Sequence, residues 1–155
     1  MDKRSNPSEF YQTVSFHFLV SFFPKDADSF DTRFQSVTGL DSTLDTETIK
    51  EGGENRFEHV LPVRRKFGPL VLKRGVLFYS ESNITKVLYR VFQDQVIVPF
   101  QTVNIQRLDE NRDPLLQWSV NNVWPRSWKI GELNAERGEV LIETLELNYN
   151  YITFV

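Results

Sequence analysis

The sequence predicts a mainly β fold: a small β-barrel or sandwich of about seven antiparallel strands with one flanking helix. Three observations carry this. Val14, Phe16, Phe18, Val20 and Phe22 alternate with Ser15, His17 and Ser21, the period of a half-buried strand. Turn residues recur at short intervals, at Pro24, Gly39, Gly52-Gly53 and Asp109 to Pro114, as they do between short antiparallel strands. Only Ile84, Val87, Leu88, Val91 and Phe92 follow the spacing of an amphipathic helix stripe.

Taken in order, the first strand runs from Val14 to Phe23, with Leu19 and Phe23 departing from its alternation. A polar loop from Pro24 to Asp31 follows, and Phe34 to Val37 is a second short strand ended by Gly39. Leu40 to Ile49 alternates but is Thr-rich and weakly apolar, so it reads as an exposed or edge strand. Gly52-Gly53 turns the chain, and Phe57 to Leu61 returns as a hairpin arm stopped by Pro62. Leu70 to Leu72 opens another strand. The helix spans about Ser82 to Gln95, capped by Ser82 or Asn83, with Pro99 beyond its end. Thr102 to Leu108 and Leu115 to Asn122 flank the Asp109 to Pro114 turn. Val140 to Phe154 is a long last strand with Leu141, Leu145, Leu147, Tyr149 and Tyr151 on one face. No internal repeat is visible.

The length of 155 residues fits one domain, 1–155, with residues 1–10 as a flexible N-terminal arm. A chain of this size buries on the order of 70% of its unfolded surface, so it needs no staple. There is no cysteine, which excludes a disulfide scaffold, a thiolate zinc site and a Cys nucleophile. The 18 basic and 21 acidic residues leave a net charge of −3, unlike the basic excess of a dedicated nucleic-acid binder. Aromatics at 14% argue against a disordered chain. The N-terminal residues carry no apolar signal-peptide core, and Phe16 to Phe23 is too short to cross a membrane, so no membrane anchor is expected.

Few residue groups suggest chemistry. His17 and His59 lack further ligands at metal spacing and read as surface or packed residues. Asp109, Asn111 and Asp113 imitate the start of a calcium loop. Pro114 and Val120 stand where such a loop needs Gly and Glu, so a plain reverse turn is the better reading. No nucleophile elbow, phosphate loop or dinucleotide fingerprint is present. Glu143 shares the apolar face of the last strand. Without a partner group it is weak as a catalytic base, and a salt bridge to an Arg of the basic cluster is the favoured reading. Trp124-Pro125-Arg126-Ser127-Trp128 reads either as a ligand-stacking platform or, preferably, as a bulged corner whose rings pack the core.

Arg64, Arg65, Lys66, Lys73 and Arg74 form a basic cluster, preceded by Asp45, Glu47, Glu51 and Glu54. A phosphate patch, a solvated face and a contact between neighbouring chains all compete here. As a subunit interface it would use Asp45, Glu47 and Glu51 against Arg64, Arg65, Lys73 and Arg74.

Three stretches together resemble one family. Phe16-His17-Phe18 leads to Val37-Thr38-Gly39-Leu40-Asp41. Leu70 to Gly75 spells L-V-L-K-R-G. Val103 to Glu110 is followed by Asp113-Pro114, Trp118-Ser119-Val120, Trp124-Pro125, Trp128, Leu133-Asn134-Ala135 and Glu143 to Leu147. In order and spacing, over about residues 10 to 151, these are similar to the tail-tube, or inner-tube, proteins of contractile phage tails and phage-tail-like contractile injection systems. Tyr89 and Phe92 stand where that family often carries Trp.

The resemblance implies a β-barrel like the type VI secretion tube protein. It implies a structural subunit that forms hexameric rings, stacked into a hollow tube, and that catalyses nothing and holds no cofactor or metal. Implied partners are further copies of the chain, a contractile sheath protein, the baseplate hub or spike, and lumen cargo, either effector protein or DNA. The implied location is the bacterial cytoplasm during assembly and then a phage-like particle or injection apparatus, extracellular after release or firing. A tube initiator or baseplate adaptor is the variant within the family. A water-filled tube needs one polar sheet face, and Asn104, Gln106, Gln117, Ser119, Glu146 and Asn148 supply polar alternates. A reading from another class, a monomeric barrel binding a small apolar ligand, would need an apolar cavity instead.

Overall fold

The computed structural model describes residues 18–50, 52–53, 58–76, 82–136, 138 and 140–155. The expected arm, His17, the start of the first strand, Glu51, Glu54 and Phe57 lie outside the described residues. In chain order the described elements are β1 (Phe18–Pro24), β2 (Phe30–Phe34), β3 (Ser36–Thr38), β4 (Ser42–Ile49), β5 (His59–Phe67), β6 (Leu70–Gly75), α1 (Asn83–Gln93), β7 (Phe100–Leu108), β8 (Pro114–Ile130), β9 (Ile142–Asn148) and β10 (Tyr151–Phe154). Every pairing is antiparallel.

The main sheet has the order β2-β1-β7-β8-β9-β6-β3, with β10 added along β8, while among the described residues β4 and β5 pair only with each other. The main path closes on itself. Only Gln35 separates β2 from β3, yet β2 pairs with β1 at one end of the path and β3 with β6 at the other. The Gln35 N–H donates to the Lys73 carbonyl at 2.8 Å across this seam. The result is the expected barrel.

Its interior follows from period-two alternation. Val20 and Phe22 on β1, Val103 and Ile105 on β7, Val120 on β8, Leu70 and Leu72 on β6, and Leu145 and Leu147 on β9 are all buried. Phe22 stacks on Phe30 at 5.3 Å and meets Phe100 at 5.2 Å. Such aromatic pairs add about 0.5–1.5 kcal/mol each beyond their buried area. The helix has a side-chain cap: Ser82 Oγ accepts from the Thr85 N–H at 3.3 Å. It buries Ile84 and Leu88, with Val87 packed beside them. Phe92, expected on the same stripe, is instead exposed, with 42% of its surface open.

β8 spans 17 residues and serves both walls of the barrel. Pro114 to Val123 pairs with β7, Trp118 to Asn121 also with β10, and Trp124 to Ile130 with β9. The corner lies at Asn122, whose φ of 52° is left-handed, a region Asn tolerates well. A register shift follows between Pro125 and Ser127. The Trp124–Trp128 stretch is thus the expected bulged corner, although only Trp128 packs on the core and Trp124 lies at the surface.

Several boundaries differ from the sequence expectation, and the strand expected over Phe34 to Val37 is split at Gln35 between β2 and β3. Residues 30 and 31 are already strand, since Asp31 and Arg33 are outward neighbours of Phe30 and Phe34 rather than loop. β5 runs through Pro62 to Phe67, with an irregularity that leaves Val63 as the extra residue. A two-stranded ribbon has only edges, where a missing N–H is tolerated. The long last strand is broken at Tyr149-Asn150, where it follows the corner of β8 and the Asn150 N–H donates to the Asn121 carbonyl at 3.1 Å. The break inverts the phase, so that Ile152, not Tyr151, faces the core.

Candidate assembly surfaces

The β4–β5 hairpin is exposed on both faces along almost its whole length. Leu44, Val60, Leu61 and Val63 are roughly half to two-thirds exposed, at 63%, 58%, 48% and 61%. An isolated two-stranded hairpin is at best marginal in water, so it gains stability from whatever covers it. Its charges are partly matched internally. Lys66 Nζ lies 2.6 Å from Asp45 Oδ2, Arg64 stands opposite Asp45, and Lys50 pairs with Glu58 at 3.4 Å. Glu47 stands opposite Leu61, and His59 opposite Ile49. The acidic and basic residues read above as cross-subunit partners are thus close neighbours within one hairpin. Lys73 lies apart, exposed on β6, and Glu51 is outside the described residues.

The hairpin leaves the barrel through two adjacent roots, Gly39–Asp41 and Phe67–Pro69. Gly39 has a φ of 90°, and a Cβ there would lie 2.0 Å from the Pro69 carbonyl oxygen, so only glycine lets the roots touch. Tyr149, just beyond β9, meets both. Its hydroxyl donates to the Gly39 carbonyl at 3.0 Å, and its ring lies 5.6 Å from that of Phe67. Arg65 covers the Phe67 ring at 5.1 Å and donates to Ser42 Oγ at 3.2 Å. Burial, and then the Asp41 carboxylate nearby, push the Tyr149 hydroxyl up to about 12.

A second surface is polar and uncharged. On the outer face of β7 and β8, Thr102 Oγ1 donates to Asn121 Oδ1 at 3.4 Å, Ser119 Oγ to Asn104 Oδ1 at 2.8 Å, and Gln106 Nε2 to Gln117 Oε1 at 3.0 Å. These are directly opposed cross-strand pairs. Ser21 on β1 and Thr153 on β10 extend the Asn104–Ser119 row in both directions. Glu146 and Asn148 lie elsewhere, on β9, where Glu146 approaches Lys129 at 3.8 Å. The six residues read as one lumen wall therefore form two patches separated by the corner of β8.

Arg74, grouped in sequence with the surface cations, is instead buried, with 3% of its surface exposed. It forms an ion pair with Glu143, directly opposite on β9. Arg74 Nη2 donates to Ser82 Oγ at 2.6 Å and to Thr85 Oγ1 at 3.0 Å, and the guanidinium lies 5.5 Å over the Phe34 ring. Trp128 Nε1 donates to the other Glu143 oxygen at 3.1 Å. The network ties β2, β6, β8, β9 and the start of α1 together. The salt bridge expected for Glu143 is present, and its partner is the Arg of the K-R-G segment. Alternation along β6 hides Arg74 and exposes Lys73.

The Asp109 turn closes on itself. Asp109 Oδ1 accepts the backbone N–H groups of Asn111 and Asp113, both at 2.8 Å, as an Asx turn does. Among the described residues no cluster of His, Asp and Glu fit to hold a metal is gathered, and no helix is long and apolar enough to cross a membrane.

Residues 14–153 match the family described as T4-like virus tail tube protein gp19. A chain of the anti-feeding prophage (AFP) baseplate is 33% identical with a TM-score of 0.82, the match covering 100% of this chain and 97% of that one. A chain of the sheath–tube complex of an extracellular contractile injection system (PVC), in its extended state, is 20% identical with a TM-score of 0.71, covering 97% and 99%. Hcp1 from Salmonella typhimurium shares the fold at 11% identity and a TM-score of 0.54, covering 90% and 85%. No curated protein matches the chain. The chain belongs to the T4-like virus tail tube protein gp19 family and is a structural tube subunit.

Proposed function

We propose that this chain closes into hexameric rings that stack into the hollow inner tube of a contractile injection system, with the β4–β5 hairpin as the contact between successive rings. The observation that carries this reading is the hairpin itself, with Leu44, Val60, Leu61 and Val63 exposed and, among the described residues, no barrel strand paired to either edge. Unpaired edges and exposed apolar residues favour burial against another copy. Within each ring, heterologous contacts between neighbouring copies close when the rotation divides a full turn. Glu47 against Arg64, Arg65 or Lys73 of a neighbouring copy would set the register.

A position at the baseplate end of the tube is supported by the 33% identity to a chain of a six-fold symmetrised baseplate, against 20% for one from a sheath–tube complex. In this reading the chain meets the hub or spike below it and the sheath outside it. It has no catalytic role. It is assembled in the bacterial cytoplasm and leaves as part of an extracellular particle. The uncharged Asn104–Ser119 and Gln106–Gln117 rows face the lumen and its cargo, and Glu146 and Asn148 lie off that wall. Negative-stain electron microscopy of the purified chain tests the proposal. Rings or short tubes are expected, and monodisperse small particles at high concentration would contradict it.

A further inference from the structure

We infer that Tyr149 is a positioning residue for assembly: it clamps both roots of the β4–β5 hairpin and fixes the direction in which the hairpin leaves the barrel. This rests on the reading of the hairpin as the contact between rings.

The hairpin is held at its base. Among the described residues its two strands pair with each other and with no strand of the barrel. Its direction is therefore set at the roots. There a continuous set of contacts runs outward from the barrel. The Tyr149 hydroxyl holds the Gly39 carbonyl on the first root, and the Tyr149 ring packs on Phe67 of the second. Arg65 then covers Phe67 and reaches across to Ser42, which is paired with Phe67 at the base of the ribbon. Gly39 and Pro69 are in direct backbone contact, so the two roots move together.

Tyr149 is itself fixed. It follows β9, whose Leu147 is buried in the core, and it precedes Asn150, bonded to the corner of β8. A side chain anchored at the corner thus reads out the corner's position to the hairpin. In a stacked tube a small error in the angle of each hairpin would misplace the next ring. The hydroxyl is the part of Tyr149 that a core-packing role alone would not need. Phenylalanine keeps the ring stacked on Phe67 and removes only the bond to Gly39.

The test uses the full chain, which has no cysteine of its own, so Thr48→Cys on the hairpin and Gln93→Cys on the helix give two unique spin-label positions. Distances between the labels are measured by pulsed electron paramagnetic resonance in unassembled subunits, with and without Tyr149→Phe. In the variant the ratio of native to displaced distances is expected to fall roughly twofold to tenfold, the change one net hydrogen bond carries. Its barrel should keep its thermal melting, and its tubes should be shorter. Phe67→Leu, which weakens the stack and keeps the hydroxyl, should broaden the same distribution. An unchanged distribution in both variants overturns the clamp, whatever the tubes do. A broadened distribution with tubes of normal length upholds the clamp and overturns the hairpin as the stacking contact.

Discussion

Arg74 and Glu143 face each other across the β6–β9 ladder and are both buried, Arg74 at 3% and Glu143 at 4% exposure. Both charges are almost wholly removed from water, so each depends on the other. Removing one partner of such a pair costs about 3–5 kcal/mol, because the remaining charge is left uncompensated. Arg74→Met is expected to destabilise the subunit by that amount in chemical unfolding. The double variant Arg74→Met with Glu143→Leu should recover much of the loss. If the single variant unfolds at the wild-type midpoint, the network is not structural.

The helix stripe gives a second expectation. Leu88 is 1% exposed and packs with Ile84 in the core. Leu88→Ala should cost about 2–5 kcal/mol, the range for a buried leucine. Phe92→Ala, on the exposed last turn, should change stability by less than about 0.5 kcal/mol. Equal costs at the two positions would mean that the helix is seated differently.

The Asp109 carboxylate is engaged by two backbone N–H groups within its own turn. Calcium titration by calorimetry should give no stoichiometric micromolar binding. Asp109→Ala should loosen the β7–β8 connection by about 0.5–2 kcal/mol, as the loss of a comparable side-chain cap does. Saturable calcium heat abolished by Asp109→Ala would show that the turn is a metal site.

Tyr149 makes the subunit sensitive to alkali. Burial, and then Asp41, raise its hydroxyl from 10.0 to about 12. The folded state therefore holds this proton more tightly than the unfolded chain. The stability linked to it is complete below about 10 and is lost as pH rises through about 12. Phenolate absorbance should show a late-titrating component near this value that is absent in Tyr149→Phe. If the late titration survives in Tyr149→Phe, another tyrosine carries it.

Periodicity made most of the barrel legible. Val20 and Phe22 alternate with polar residues, and the helix stripe stands alone, so strand and helix were distinguishable without tertiary contacts. Glu143 was readable as an ion-pair partner because it shares a strand face with leucines. Arg74 was not readable as buried, since its four basic neighbours hide the alternation that separates it from Lys73. Polar alternation found the residues of the proposed lumen wall but not the corner at Asn122 that divides them, because a left-handed asparagine leaves no periodic mark. The Tyr149–Gly39 bond joins positions 110 residues apart, and nothing local announces such a contact. The exposed hairpin was visible as a weakly apolar ribbon. Its extent to Phe67 was not, because Pro62 reads as a stop wherever an edge strand is not anticipated.

The most direct test of the account is a cryo-electron reconstruction of the assembled particle formed by the purified chain. Hexameric rings are expected whose Ser42–Ile49 and His59–Phe67 strands are buried against the next ring, covering Leu44, Val60, Leu61 and Val63. A tube in which those strands remain open to solvent, or a preparation that stays monomeric at every concentration, would contradict it.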